Sequence, residues 1–162
     1  MERALKVVQA RHVIEEVLFR YAEAVDHGDL ETLAELLHAC TMVLTDDTRL
    51  EGGAAIAAHY RSIIQFYDDD EKPVEYQRGR TTPRTRHLTT NVLFDFSSQL
   101  TSADVRSYFT CYQTLGRKTE IIAGGRYLDR FNFTISSWQL TERRILVDDA
   151  GDMSRHLVTR VA

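Results

Sequence analysis

The sequence predicts an α+β fold in which a curved antiparallel sheet wraps around N-terminal helices, as a cone-shaped half-barrel with a central hydrophobic cavity. Two observations predict this class. The first half of the chain has apolar residues at three- and four-residue steps, which is typical of amphipathic helices. From Arg84 onward the period changes to two, which is typical of strands. Helices followed by a meander of long strands favour an α+β architecture.

Two helices are predicted to form a hairpin near the start of the chain. Residues 15–25 place their apolar side chains on one face, and Gly28 is expected to end this helix. Asp29 is expected to cap a second helix. The apolar positions that share a face are Ile14, Val17, Leu18, Tyr21, Ala22 and Val25 in the first helix, and Leu30, Leu33, Leu36 and Leu37 in the second.

The middle of the chain predicts a short strand, a third helix and a long loop. Residues 41–45 are β-prone and are followed by an Asp46-Asp47 turn. Residues 54–66 have helical spacing. Residues 68–83 are polar and contain both prolines, so they predict a loop. Loops of this length are uncommon inside a domain and often line a site.

Four long strands are predicted to complete the fold, at residues 84–96, 103–115, 120–134 and 136–148. The connections between them are short, which favours antiparallel neighbours. The tail, residues 150–162, is weakly patterned and is expected to be frayed or docked on a partner. A length of 162 residues predicts one domain over residues 1–162, with its core at about residues 10–149.

Composition and charge restrict the partners that we expect. The net charge of −4 gives no general attraction to nucleic acid or to anionic lipid. No apolar run approaches the ~20 residues of a membrane span. The chain has two cysteines, Cys40 and Cys111, which predict neither a disulfide framework nor a zinc site. We therefore expect a cytoplasmic protein that binds neither nucleic acid nor membrane.

A series of landmark residues is spread along most of the chain. In order they are Arg20-Tyr21, Asp26, Gly28-Asp29, Arg86-His87, Asn91, Gly124-Gly125-Arg126-Tyr127, Asp129, Trp138 and Arg143. Their order and spacing resemble the SnoaL-like family of the nuclear transport factor 2-like superfamily over about residues 10–149. Relatives in that superfamily include scytalone dehydratase, bile acid dehydratases, polyketide cyclases and the small subunit of aromatic-ring dioxygenases. The resemblance implies a cone-shaped fold with a small molecule in its hollow.

Asp26, His87 and Tyr21 are the predicted catalytic residues. The resemblance implies that Tyr21 and Asp26 point into the hollow, where a carboxylate is costly to bury unless it is paired. His87 opens a strand and is the natural partner, because an aspartate orients an imidazole and raises its basicity. Tyr21 would donate a hydrogen bond to a substrate carbonyl. The alternatives are structural: Asp26 as a turn cap, His87 as an ordinary strand residue and Tyr21 as part of the core.

Asn91, Tyr108 and Arg143 are the predicted substrate-binding residues. Asn91 is expected to share a strand face with His87, and Tyr108 to add a second donor from the neighbouring strand. Arg144 follows Arg143 directly, so a shift of one residue in strand phase would exchange their faces. One of these two arginines is expected to pair with Asp129 across adjacent strands.

These residues predict a cofactor-independent dehydratase or isomerase that acts on a hydrophobic, carbonyl-containing small molecule, with neither a cofactor nor a metal. Two alternatives stay open: a non-catalytic small subunit of a ring-hydroxylating dioxygenase and a small-molecule carrier. A homodimer or homotrimer is expected because the open sheet leaves a broad outer face. The residues considered for that face are Val92, Phe94, Phe109 and Phe131.

Overall fold

Three helices precede most of the sheet in the computed structural model, which describes residues 1–158. They are α1 (Glu2–His27), α2 (Leu30–Leu36) and α3 (Gly52–Ile63). Helix α1 begins well before the predicted residue 15. Leu5 and Val8 in its first turns are exposed, so the apolar residues there do not mark a single buried face, and the sequence pattern did not indicate this part of the helix. Across residues 1–158 there is no helix with the length and apolar character needed to cross a membrane.

The predicted hairpin between the first two helices is confirmed. Gly28 has φ 66°, in the left-handed region, and a Cβ atom at this position would lie 2.8 Å from the carbonyl oxygen of Thr81. Asp29 caps α2, because its carboxylate accepts a hydrogen bond from the backbone N–H of Thr32. The tight turn ends α1 at His27, directly after Asp26, and leads into α2.

Within residues 1–158, eight strands form one six-stranded sheet and one small hairpin. The large sheet has the order β2-β1-β8-β7-β6-β5, and all of its pairs are antiparallel except β1 with β8. Strand β4 lies inside the region that was predicted as a loop, and it pairs with β3, which directly precedes that region. The strands are β1 (Thr41–Val43), β2 (Arg49–Glu51), β3 (Phe66–Tyr67), β4 (Pro73–Val74), β5 (Thr85–Phe96), β6 (Ser102–Leu115), β7 (Lys118–Thr134) and β8 (Ser137–Ala150).

Breaks in register curve the large sheet around α1. The pairing of β5 with β6 shifts between Thr90 and Leu93, and the pairing of β7 with β8 shifts between Gly124 and Gly125. Bulges of this kind bend a strand and increase its twist. The α+β architecture, with an open curved sheet around N-terminal helices, is the predicted fold class.

The inner face of the sheet carries the core, and this corrects the predicted outer face. Phe109 and Phe131 are buried, and Val92 and Phe94 pack against the core. Strand alternation instead turns Leu88, Tyr108 and other large side chains outward. The exposed apolar residues on the outer face are Leu88, Leu93, Tyr108 and Leu128.

The C-terminal segment, residues 153–158, docks on its own chain. The backbone N–H of Gln65 donates to the carbonyl of His156 at 2.8 Å, and that of Val158 donates to Ile63 at 2.8 Å. Both Gln113 Nε2, at 3.3 Å, and the Tyr67 hydroxyl donate to the carbonyl of Arg155. The prediction of a frayed or partner-bound tail is therefore wrong for this segment. Residues 159–162 of the predicted tail lie outside the described part of the chain.

Candidate active site

The end of α1 and the start of β5 bring Asp26 and His87 into direct contact. His87 Nδ1 lies 2.6 Å from Asp26 Oδ1. The two side chains are mostly buried, with 13% of the His87 side chain and 6% of the Asp26 side chain exposed. The geometry that the sequence predicted for this pair is therefore present.

The Asp26 carboxylate is held by further hydrogen bonds from β5. Thr85 Oγ1 donates to Oδ1 at 2.8 Å, and the backbone N–H of His87 donates to Oδ2 at 2.8 Å. Burial acts to raise the pKa of Asp26, but the hydrogen bonds and the charge of His87 outweigh it and hold that pKa below its ordinary value. Asp26 is therefore ionised at neutral pH. Thr85 was not among the predicted site residues, although it lies two positions before His87 on the same strand face.

The contact with Asp26 fixes the role of each nitrogen of His87. An ionised carboxylate only accepts hydrogen bonds, so Nδ1 carries the proton that is donated to Asp26. In the neutral ring Nε2 then has the free lone pair. We assign this tautomer from the hydrogen bonding, and it makes Nε2 the basic atom available to a ligand.

A cavity of about 260 Å³ adjoins the pair, between α1 and the edge strand β5. It is small in comparison with the ~300 to 1,000 Å³ of typical ligand sites. Its lining combines apolar and charged side chains. Besides Asp26 and His87, the lining residues are Phe19, Ala22, Glu23 and His27 from α1, and Arg86 and Thr89 from β5.

Cys111 lies behind the histidine but is unsuited to nucleophilic chemistry. Its Sγ is 4.0 Å from His87 Nδ1. Burial, together with the charge of Asp26, raises the pKa of the Cys111 thiol to about 12, so the thiol stays protonated. Within residues 1–158, the His, Cys, Asp and Glu side chains form no group of three that could hold a metal ion.

Tyr21 is buried, but it does not line the cavity beside His87. Its hydroxyl lies 2.6 Å from the hydroxyl of Tyr60 on α3. Tyr21 and Asp26 are five residues apart, about 140° around a helix, so the two side chains point to different parts of the sheet. Burial raises the pKa of Tyr21, although the charge of Arg143 opposes this shift.

Arg143 forms a second buried ion pair, with Asp129. Its Nε donates to Oδ1 at 2.8 Å and its Nη2 to Oδ2 at 2.7 Å, and the two residues are direct neighbours on β7 and β8. The guanidinium carbon lies 4.2 Å from the ring centres of both Tyr21 and Tyr127. Arg144 points elsewhere and pairs with Asp47. Arg143 is thus the arginine that pairs with Asp129, and it does not line the cavity beside His87.

Tyr108 and Asn91 do not lie beside His87, which corrects their predicted placement. Tyr108 is 55% exposed, and its neighbours on either side are buried, so it faces outward. Asn91 is exposed at the bulge of β5, with φ 54°. The extra residue breaks the alternation that would have placed Asn91 on the His87 face.

His156 is a second histidine near the pair that the sequence reasoning missed. Its Nδ1 is buried and has no hydrogen-bond partner among residues 1–158. Burial and the charge of His87 lower the pKa of His156 to about 4, whereas Asp26 acts to raise it. The imidazole therefore lies within electrostatic reach of both catalytic candidates. The weak pattern of the tail gave no signal of this position.

Comparison with known proteins places the chain in a family. The sequence-family model of the SnoaL-like domain matches residues 6–144 of this chain. The chain belongs to the SnoaL-like family. The predicted resemblance is thereby confirmed, and the buried pair lies inside the matched region. No curated protein sequence matches this SnoaL-like chain.

Solved structures share the fold of this SnoaL-like protein, and the following three examples come from Novosphingobium aromaticivorans. An NTF2-like protein with a cystatin-like fold is 19% identical, with a TM-score of 0.70, covering 95% of this chain and 92% of that chain. A protein provisionally named scytalone dehydratase is 24% identical, with a TM-score of 0.65, covering 91% and 89%. The β subunit of a provisionally assigned aromatic-ring-hydroxylating dioxygenase is 16% identical, with a TM-score of 0.64, covering 90% and 94%. At these identities the likeness shows the fold alone.

Proposed function

We propose that this SnoaL-like protein is a cofactor-independent dehydratase or isomerase that acts on a small hydrophobic molecule containing a carbonyl group. One observation carries the proposal: a carboxylate and an imidazole in direct contact, mostly buried, beside a cavity. Perturbed titratable groups in a concave site are candidates for proton transfer. A structural neighbour provisionally named scytalone dehydratase supports the same reaction class.

His87 is the general base in the proposed mechanism. Nε2 removes a proton from the carbon next to the substrate carbonyl, and the electron pair of the broken C–H bond forms an enolate. The imidazole becomes imidazolium, and the ionised Asp26 stabilises this positive charge. Because Thr85 and the His87 backbone N–H already orient Asp26, little reorganisation is needed during the step.

The same imidazolium completes either reaction. In a dehydration, the enolate electrons expel the β-hydroxyl group while Nε2–H protonates it, so water leaves and a double bond remains. In an isomerisation, Nε2–H returns the proton to a different carbon. Neither reaction requires an oxidant or a reductant. Tyr21 and Arg143 do not line the cavity, so the proposal assigns proton transfer to Asp26 and His87 alone.

The proposed reaction can be tested with a simple β-hydroxy ketone. Loss of water from 3-hydroxy-1-tetralone gives 1-naphthol, which is fluorescent and can be followed continuously. We expect the wild-type protein to accelerate its formation and His87→Gln to remove about 10²-fold or more of that acceleration. His12→Gln, which changes an exposed histidine, is the matched control and should react as the wild type does.

Exchange of the α-protons of 1-tetralone in D₂O, followed by NMR, isolates the first step of the mechanism. This ketone has no leaving group, so exchange reports proton removal without elimination. If His87→Gln exchanges these protons as fast as the wild type, His87 is not the base. If the wild type catalyses neither exchange nor dehydration across a panel of such ketones, the enzymatic proposal fails.

A non-catalytic subunit is the second candidate, and the outer face of the sheet favours it. Leu88, Leu93, Tyr108 and Leu128 are all at least 36% exposed on this face. Exposed apolar patches mark interaction surfaces. A structural neighbour is itself described as a dioxygenase β subunit. We propose that the protein forms a homodimer or homotrimer, and light scattering of the purified protein measures its oligomeric state. Co-purification with a ring-hydroxylating large subunit would favour the subunit function.

A further inference from the structure

A second and larger cavity lies at the opposite end of α1 from Asp26. Its volume is about 670 Å³, within the range of ~300 to 1,000 Å³ that is usual for small-molecule sites. The first turns of α1 form one wall, and the β5–β6 and β7–β8 connections form the other. It shares no lining residue with the cavity beside His87. It is therefore separate from the proposed catalytic site.

Aromatic side chains supply the apolar wall of this second cavity. The rings of Phe133 and Trp138 lie 5.6 Å apart, and Phe96 packs edge-on against Trp138 from behind. Trp138 is only 7% exposed, whereas 46% of Phe133 is exposed. Val13, from α1, adds aliphatic surface on the other side. A flat apolar group can therefore contact the Phe133 ring while α1 covers it.

The edge of the cavity formed by α1 carries an excess of positive charge. Arg3 and Lys6 line this edge together with one acidic residue, Glu2, in a protein whose net charge is −4. Lys6 Nζ lies 2.7 Å from Glu2. Arg3 Nη2 donates to the carbonyls of Ser97 and Ser98 at 3.4 and 3.3 Å, which ties α1 to the β5–β6 turn. These bonds use one guanidinium nitrogen and leave other N–H groups for an acidic ligand.

We propose that the second cavity binds a small amphiphilic anion, with its apolar body against Phe133 and Trp138 and its acidic group beside Arg3 and Lys6. The aromatic wall accounts for the apolar body, and the local excess of positive charge accounts for the acidic group. A cationic ligand would meet that positive charge at the edge. The proposal is independent of the dehydratase proposal, because no residue of the Asp26–His87 cavity takes part.

The test uses 8-anilinonaphthalene-1-sulfonate, a probe with an apolar ring system and one anionic group. Trp138 is the only tryptophan in the chain, so excitation of this residue reports directly on the cavity. We expect saturable quenching of Trp138 and energy transfer to one bound probe molecule. Decanoate, a second amphiphilic anion, should displace the probe, whereas decyltrimethylammonium should not.

Charge variants decide whether the basic edge takes part. The double variant Arg3→Glu with Lys6→Glu should weaken probe binding at least tenfold. Lys118→Glu is the matched control, because Lys118 is also an exposed lysine paired with a glutamate, and it should leave the affinity unchanged. His87→Gln should also leave the affinity unchanged, since His87 lines only the other cavity.

Three results would each overturn the proposal. The first is equal probe affinity in the double charge variant and in Lys118→Glu. The second is loss of energy transfer in His87→Gln, which would place the probe in the other cavity. The third is quenching of Trp138 that follows protein concentration without any probe, which would show that a second copy of the chain covers this cavity.

Discussion

The interior of the protein holds two pairs of an aspartate with a basic partner, and they differ in their surroundings. Asp26 and His87 join α1 to β5 and lie beside a cavity. Asp129 and Arg143 join β7 to β8, and their side chains are 0% and 1% exposed. One pair can meet a ligand and exchange a proton with it. The other pair, Asp129 with Arg143, is enclosed by protein on all sides, and we call it the sealed pair.

The basic partner explains why the two pairs suit different work. An imidazole can act as a base and, once protonated, as an acid, so His87 can accept and return a proton. A guanidinium does not: burial acts to lower the pKa of Arg143, but the charge and hydrogen bonds of Asp129 overcome it and raise that pKa further. The aspartate orients its partner in both pairs, but Asp129 neutralises a permanent cation, whereas Asp26 would stabilise an imidazolium that forms only during proton transfer. We therefore infer chemistry at the first pair and structural cohesion at the second.

The largest effect that we expect comes from breaking the first pair without removing the base. Asp26→Asn keeps the shape, but it removes the charge that stabilises the imidazolium and leaves the His87 tautomer unfixed. The rate of 1-naphthol formation should fall by roughly 10⁴-fold, as in other enzymes where an aspartate that orients a histidine is replaced. Steady-state fluorescence of the product measures it.

Asp149→Asn is the control for this substitution, because Asp149 is an exposed aspartate on β8. Its rate should equal that of the wild type. The circular dichroism of Asp26→Asn should stay native, so that the loss can be assigned to chemistry. A fully active Asp26→Asn protein would remove Asp26 from the mechanism and leave it as a turn residue.

The second effect is the cost of opening the sealed pair. Arg143→Met leaves the Asp129 carboxylate buried without its partner, which typically costs ~3 to 5 kcal/mol. Urea unfolding should show this as a decrease in the free energy of unfolding. The double variant Asp129→Leu with Arg143→Met should recover most of it, since apolar replacements of buried ion pairs are often neutral.

The rate of 1-naphthol formation separates a structural role of the second pair from a catalytic one. We expect the double variant Asp129→Leu with Arg143→Met to keep this rate. If the double variant is stable but inactive, the sealed pair takes part in catalysis and the comparison between the two pairs is wrong. If it is stable and active, Arg143 is structural. The sequence left this choice open, because the adjacent Arg144 made the strand phase uncertain; the register of β7 with β8 resolves the geometry.

The sequence could predict the parts of the fold and site that depend on local pattern. Gly28 and Asp29 marked the helix hairpin correctly, because a left-handed residue and a cap have specific residue preferences. The four long strands were found within a few residues, since their period of two is sustained. The contact of Asp26 with His87 was also foreseen, from the family resemblance together with the cost of burying a lone carboxylate.

Features that depend on irregular backbone or on tertiary contact were not predictable in this way. The bulge at Asn91 reverses the expected face, and nothing in the local sequence marks it clearly. His156 lies within electrostatic reach of the pair, and the carbonyl of the adjacent Arg155 is held by Gln113 and Tyr67, which are distant in sequence. Alternation on β6 was clear, but which face was inner depended on the register with β5.

The pH dependence of the free energy of unfolding tests the surroundings of His156, which lies near the first pair. Its pKa is lowered from 6.5 to about 4, so the unfolded chain binds a proton at a higher pH than the folded protein does. Stability from the neutral buried imidazole is therefore fully present above pH 6.5 and is lost as the pH falls toward about 4. The loss is about 3 kcal/mol at most. Urea unfolding at a series of pH values measures it.

His156→Leu should flatten the stability profile between pH 6.5 and about 4, whereas the control His12→Gln should keep its slope. Asp26 acts in a separate range: its lowered pKa gives stability above the ordinary aspartate pKa of 3.8, and that stability is lost at lower pH. An unchanged slope in His156→Leu would mean that the C-terminal segment is already released in the wild-type protein in this range.

The smallest effect concerns Tyr21, which was predicted as a catalytic residue together with Asp26 and His87 but lies against Arg143 of the other pair in the structure. Tyr21→Phe removes the hydrogen bond to Tyr60 and keeps the ring against the Arg143 guanidinium. The free energy of unfolding should fall by ~1 kcal/mol, since one partner of a buried hydrogen bond is lost. The rate of 1-naphthol formation should change less than threefold. A loss of 10²-fold or more with native stability would show instead that the Tyr21 hydroxyl contacts the substrate carbonyl during turnover, because an oxyanion donor contributes that much.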